Sequence, residues 1–274
     1  MLALSLSCIA LPNTVNAEPA KRIVALSPHA VEMLYAIGAG DQIIAATDYA
    51  DYPQAATKLP RVGGYYGVQI ERIMELHPDL IVVWDSGNKA EDIHQLKSLG
   101  FTLYSSSPKT LESVANELEE LGALTGHNAQ AKEVAADYRK QLQNLRDENA
   151  VKSRPKVFYQ LWSTPLMTVS KNSWIQQIID VCHGENVFYS AASDYPQVSI
   201  ENVLLTMPEV ILRSEEEGNI QGMDWSQWGE IPAVKNQQIY QLNADLLHRA
   251  TPRALLGVNA LCETLDNARG HEKQ

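Results

Sequence analysis

Two periods alternate along the chain. Short apolar runs rich in β-branched residues (Lys21 to Ala25, Ile43 to Thr47, Leu80 to Val83 and Phe101 to Ser105) read as buried strands. Between them Val31 to Ile37, Ile70 to Leu76, Ala90 to Leu99 and Leu111 to Leu124 keep helical spacing. Gly38 and Gly126 end the first and last of these, and Pro28 with His29 reads as the turn before the first. The second half repeats the rhythm. Strands are predicted at Lys156 to Leu161, Leu166 to Ser170 and Gln238 to Leu242, helices at Trp174 to Cys182 and Pro252 to Leu265, and a frayed tail from Asn267. Strands alternating with short helices predict βαβ units and an α/β fold with mostly parallel sheets.

One stretch occurs twice. Tyr65 to Trp84 (YYGVQIERIMELHPDLIVVW) matches Tyr195 to Ser214 (YPQVSIENVLLTMPEVILRS) without gaps at an offset of 130 residues. Tyr65 falls on Tyr195, Glu71 on Glu201 and Pro78 on Pro208, and each copy reads as loop, short helix, proline stop and buried strand. A unit present once per half predicts two similar lobes facing one another. Between the halves, Asn128 to Asn149 holds no Gly or Pro, and Ala131, Val134, Ala135, Tyr138, Leu142 and Leu145 form an apolar stripe. Such a helix would span about 33 Å, a rigid strut that allows little closure. The expected organisation is a leader at 1–17, a first lobe at 18–127, a connecting helix at 128–150 and a second lobe at 151–274.

The leader reading rests on the apolar run Leu2 to Leu11 followed by Val15-Asn16-Ala17, a small-residue cleavage pattern that sets Glu18 as the mature start. Cys8 sits in a poor lipidation context. The net charge of −11 excludes nucleic acid as a partner, since such surfaces demand clustered Lys and Arg. Outside the leader the cysteines are Cys182 and Cys262, an even pair in an exported chain. A disulfide is the favoured reading and two buried free thiols the alternative.

Catalytic signatures are missing. The sequence has no G-x-S-x-G elbow, phosphate loop, dinucleotide fingerprint or H-E-x-x-H, and its seven histidines are scattered singly. Acidic runs such as Glu119-Glu120 and Glu215-Glu216-Glu217 read as solvated faces. Aromatic residues gather instead where βα loops meet the space between lobes: Tyr49, Tyr65, Tyr66 and Trp84 in the first half, Trp162 and Tyr195 in the second. Trp174 and Tyr138 read as core, and Trp225 and Trp228 have no clear place. A wall of rings beyond the strand ends suits a large, partly apolar, ring-shaped ligand.

The segments LSPHAVEMLYAIGAGDQIIAATDYADYP, GGYYGVQIERIMELHPDLIVVW, DVCHGENVF, YPQVS, IPAVKNQQIY and RATPR, in this order, resemble the helical-backbone (class III) periplasmic substrate-binding proteins. These serve ABC importers of cobalamin, siderophores and haem. Within that family the likeness is to the cobalamin carriers and covers nearly the whole mature chain. It implies a periplasmic carrier without enzymatic activity or cofactor, and a homodimeric permease with its ATPase subunits as partner. Carried over by position, it implies cobalamin contacts at Tyr49, Tyr65, Trp84, Met167, Tyr195, Asp245 and Arg249, and permease docking through Glu71 and Glu201. Tyr65 and Tyr195 stand where the family commonly has Trp, Met167 where it can have Phe, and His29 where a small residue is usual. With His248, His29 would place an imidazole on the rim of each lobe, which leaves haem or a siderophore as the alternative cargo; no close-spaced ligand set supports a metal site. From another class, a secreted enzyme is the remaining alternative.

Overall fold

The β-branched runs of the first half form a sheet without a polar face. In the computed structural model, which describes residues 18–215 and 223–271, this half runs β1 (Ile23–Ala25), α1 (Pro28–Ala36), β2 (Ile43–Ala46), the hairpin β3 (Gly63–Gly64) with β4 (Gly67–Val68), α2 (Ile70–Leu76), β5 (Leu80–Val83), α3 (Ala90–Ser98), β6 (Leu103–Ser105) and α4 (Leu111–Thr125). Helix α5 (Asn128–Asn149) leads to β7 (Lys156–Gln160), the hairpin β8 (Trp162–Ser163) with β9 (Leu166–Met167), α6 (Trp174–Val181), β10 (Glu185–Asn186), α7 (Ile200–Thr206) and β11 (Val210–Glu215). Helix α8 (Pro232–Lys235), β12 (Ile239–Asn243), α9 (Ala244–His248) and α10 (Ala254–His271) complete it.

The strand orders are β2-β1-β5-β6 and β10-β7-β11-β12, all parallel. Numbered within each half, both read second, first, third, fourth, so the duplication extends to the whole sheet. Side chains alternate between faces, as strand geometry requires. Ile23, Ala25, Leu80 and Val82 meet α1, α4 and α5, while Val24, Ile81 and Val83 meet Ile70, Ile73 and Leu96 of α2 and α3. In the second sheet Val157, Tyr159, Val210 and Leu212 join α6 and α10, and Phe158 and Ile211 meet Val203 of α7, Trp225 and Ile231. One core runs through α1, α4, α5, α6 and α10 and serves one face of both sheets. Both faces are covered, which is why these strands read as continuous apolar runs.

The duplicated unit repeats at atomic detail. Helices α2 and α7 are each 7 residues long and end on His77 (φ 46, ψ 57) and Met207 (φ 48, ψ 58), left-handed caps in register. The stop is therefore the cap; the proline follows one residue later. Helix α5 has the predicted limits and buries Ala131, Ala135, Tyr138 and Leu142. It lies so close to α4 that a Cβ on Gly122 would stand 2.3 Å from the Ala131 Cβ.

Four expectations change. Pro28 and His29 are the first residues of α1, where proline loses no hydrogen bond and Ser27 Oγ accepts from Ala30 N at 3.3 Å. The strand predicted to Ser170 ends at Met167, and its remainder follows the 194–196 loop through Thr168 N to Pro196 O (3.0 Å) and Ser170 N to Asp194 O (2.9 Å). The tail does not fray at Asn267, because Leu265 and Ala268 are buried and Arg269 donates to the carbonyls of Ser153 (2.8 Å) and Cys182 (2.7 Å). Helix α9 was not foreseen. Cys182, at the end of α6, and Cys262 of α10 form a disulfide. The leader at 1–17, with Cys8 and the Glu18 cleavage expectation, and Glu216 and Glu217 lie outside the described residues.

Candidate functional site between the sheets

The site lies beyond the carboxyl ends of both sheets, and an ion cluster brings those ends together. Glu32 of α1, with 2% of its side chain exposed, is held by Arg249 (3.0 Å), Thr251 (3.0 Å) and Arg253 (2.9 and 2.7 Å) from the other half of the chain. Arg249 also meets Asp51 at 2.6 Å and Asp245 at 2.8 Å. The Arg253 guanidinium lies 3.6 Å from the centroid of the Tyr52 ring. Burial alone would raise the Asp51 carboxyl, but hydrogen bonding to Arg249 holds it below its ordinary value. Glu32 follows β1, Asp51 follows β2 and Arg249 follows β12 through α9, so the strand ends of one sheet face those of the other. Open α/β sheets bind ligands in that region.

Aromatic groups stand free on both sides. In the first half Tyr49 is 69% exposed and Tyr65 72% exposed. Tyr65 packs edge-on against Tyr66 at 5.7 Å, and Tyr66 donates to Asp48 Oδ2 at 2.7 Å. Tyr49 sits at φ 63, left-handed backbone that a tyrosine adopts only at some strain, so local structure holds it out. Trp84 follows β5 directly: its N–H donates to Asn88 Oδ1 at 2.8 Å, and any Cβ on Gly87 would fall 1.9 Å from the indole. In the second half Trp162 pairs with Met167 across the β8–β9 hairpin. Met167 bridges Gln197, which sets it two residues from Tyr195 along the adjoining loop, itself 48% exposed.

The predicted site residues therefore fall into three groups. Tyr49, Tyr65 and Trp84 rise from the first sheet, Met167 and Tyr195 from the second, and Asp245 and Arg249 belong to the ion cluster. Glu71 and Glu201 stand apart, both exposed in the first turns of α2 and α7. Ser199 caps α7 and its hydrogen bond lowers the Glu201 carboxyl below its ordinary value, whereas Gln69 makes no side-chain cap on α2. Trp225 belongs to the core, donating to Gln160 Oε1 at 2.7 Å between Phe158 and Trp228. Trp174 donates to Leu247 O at 2.7 Å.

The histidines are corrected in part. His29 is no rim residue: it is buried, its Nε2 2.9 Å from Ser106 Oγ, because α1 begins at Pro28, three residues earlier than expected, and takes the ring inward. His248 keeps an exposed position, its Nε2 2.8 Å from the hydroxyl of buried Tyr159. Among the described residues no cluster of three His, Cys, Asp or Glu side chains could hold a metal ion. Glu32, Asp51, Thr251 and Arg253 were not among the predicted site residues. Their sequence separations of 198 to 221 residues leave no local signal.

The periplasmic binding protein family model matches residues 23–246. This chain belongs to that family. The periplasmic binding protein described here is 38% identical to the vitamin B12-binding protein of Vibrio parahaemolyticus over 257 residues, 93% of each chain. It is similar to the crystal structure of the periplasmic vitamin B12 binding protein BtuF of Vibrio cholerae, with a TM-score of 0.84, 40% identity, and coverage of 92% of this chain and 98% of that one. The periplasmic heme-binding protein RhuT of Roseiflexus sp. RS-1 shares the fold at a TM-score of 0.81 and 20% identity, covering 91% and 99%. The expectation of a class III α/β binding protein rather than an enzyme holds. Among the described residues no helix is long and apolar enough to cross a membrane.

Proposed function

We propose that this chain captures cobalamin in the periplasm and hands it to an inner-membrane ABC importer, performing no chemistry on it. The observation that carries this reading is the 40% identity over 92% of the chain to a vitamin B12 binding protein of the same fold. The exposed rings support it, since a corrin is broad, flat and largely apolar. Tyr49, Tyr65 and Trp84 form one wall and Met167 and Tyr195 the other, Met suiting an irregular surface. Asp245, on the exposed side of Arg249, sets ligand orientation together with that arginine.

Residues 18–127 and 151–274 act as the two lobes and 128–150 as their strut, and 1–17 as the export signal. The partner is a homodimeric permease with its ATPase subunits. Glu71 and Glu201 occupy equivalent exposed positions in the duplicated helices, so one carboxylate per lobe can meet one basic pocket per permease subunit. A haem reading loses support because His29 is buried in hydrogen bonds. The test is visible absorption after incubating the protein with cyanocobalamin, haem or a ferric siderophore and desalting. Retained cobalamin bands are expected; a Soret band surviving alone refutes the assignment.

A further inference from the structure

Beneath Trp84 a series of buried polar groups reaches back to α4. Glu117 is buried; its Oε1 accepts from the Ser106 hydroxyl and its Oε2 from Ser107 N–H at 3.2 Å. Ser106 Oγ lies 2.9 Å from His29 Nε2, which is also 3.4 Å from the Ser106 carbonyl and 3.5 Å from Ser27 Oγ. The His29 ring then meets Trp84 edge-on, centroids 5.3 Å apart at 82°. The cleft residue Trp84 thus rests on an imidazole connected to a carboxyl through a single hydroxyl.

We propose that Glu117, Ser106 and His29 form a positioning relay that sets the proton pattern beneath Trp84 and thereby the grip of the cleft on its ligand. The ligand half of this statement rests on the reading of Trp84 as a wall of the cobalamin site.

The mechanism follows from hydrogen counting. A serine hydroxyl has one hydrogen and donates to one neighbour only. With Glu117 ionised, Ser106 donates to the carboxylate, and His29 must carry its hydrogen on Nε2, where it donates to Ser106 Oγ and the Ser106 carbonyl. With Glu117 protonated, the carboxyl donates to Ser106 Oγ, Ser106 donates to Nε2, and the imidazole hydrogen moves to Nδ1. The first pattern satisfies more groups, because the Ser106 carbonyl then has a donor and Ser107 N–H meets a charge.

Burial pushes the Glu117 carboxyl up to about 7 and the His29 imidazole down to about 4. Around neutral pH the carboxyl titrates while the imidazole stays neutral, so His29 changes tautomer and not charge. The charged groups around the relay act less than burial does. Glu120, which accepts from Tyr104 at 2.7 Å, disfavours charge on Glu117; Glu32 favours the imidazolium and Arg249 opposes it.

The test combines ring-nitrogen NMR of His29 with cyanocobalamin affinity between pH 5.5 and 8.5, on the native chain and on Glu117→Gln. The native tautomer should pass from Nδ1–H to Nε2–H as pH rises through neutrality, and affinity should rise with it by about two- to tenfold, the range of one net hydrogen bond. In Glu117→Gln the amide donates to Ser106 at every pH, so the tautomer should stay Nδ1–H and the affinity step should vanish. His29→Ala should also abolish the step. A native tautomer that does not move with pH overturns the relay. A tautomer that moves while affinity stays flat, or a step that survives in Glu117→Gln, overturns its coupling to binding. Absence of cobalamin binding at every pH, with the tautomer switching normally, refutes the assigned ligand and leaves the relay standing.

Discussion

Replacing Glu32 by alanine is the most informative single perturbation. The carboxylate is almost fully buried and takes hydrogen bonds from Arg249, Thr251 and the Nε and Nη2 of Arg253. Removing one partner of a buried ion pair costs about 3 to 5 kcal/mol, because the remaining charge is left without compensation. Two features reduce that figure here: Arg249 keeps Asp51 and Asp245, and the Arg253 side chain is 22% exposed and retains the Tyr52 ring. The expected loss is therefore about 3 kcal/mol, the low end of that range. Urea unfolding at pH 7, followed by circular dichroism, measures it. Because the pair is shielded, the loss should persist in 1 M salt, unlike that of a surface pair. A double-mutant cycle with Arg253→Ala should show coupling of at least about 1 kcal/mol. A loss below about 1 kcal/mol, or additive single variants, would refute the claim that this cluster ties the two halves.

The remaining predictions are briefer. The raised Glu117 carboxyl favours the fold fully below its ordinary value of 4.5, and that stability is lost as pH rises through about 7; Glu117→Gln should therefore melt higher than the native chain at pH 8 and converge with it near pH 4.5, and equal melting at pH 8 would contradict it. Trp84→Ala should weaken cobalamin binding by about 1 to 3 kcal/mol with little loss of stability, whereas Trp174→Ala, which loses the bond to Leu247, should do the reverse; calorimetry beside thermal melts separates them. Cys182→Ser with Cys262→Ser should lower stability by about 4 kcal/mol, since the bridge closes a separation of 80 residues; unchanged urea midpoints would show otherwise. Glu71→Ala with Glu201→Ala should leave cobalamin affinity intact and impair uptake into permease-containing vesicles, and full uptake would reduce both residues to helix caps.

Much of the fold was legible because it is written in local periods. The limits of α5, the twin helices α2 and α7 and the fully buried β5 follow from spacing, caps and β-branched runs. Legibility failed where tertiary contact overrides the local signal. Thr168 to Ser170 leaves the strand because the 194–196 loop claims its backbone, and the polar tail stays helical because Arg269 finds carbonyl partners 86 to 116 residues away. Of the candidate site, the exposed rings of Tyr49, Tyr65 and Tyr195 were legible, since loops carrying rings declare themselves. Its charged floor was not, because Glu32 looks like any helical glutamate until Arg249, Thr251 and Arg253 arrive from the far end of the chain.

The two halves are joined by the α5 strut set tightly on α4, by the buried core that α1, α4, α5, α6 and α10 share, and by the Glu32 cluster. A body fastened through a shared core as well as by an ion cluster behaves as a stiff spring and not as a door. Its loaded and empty shapes then differ little, and a partner cannot read occupancy from the angle between the lobes. Discrimination must come from small changes of surface, and the work of prising the ligand free falls on whatever receives it, which has to strain these fastenings together.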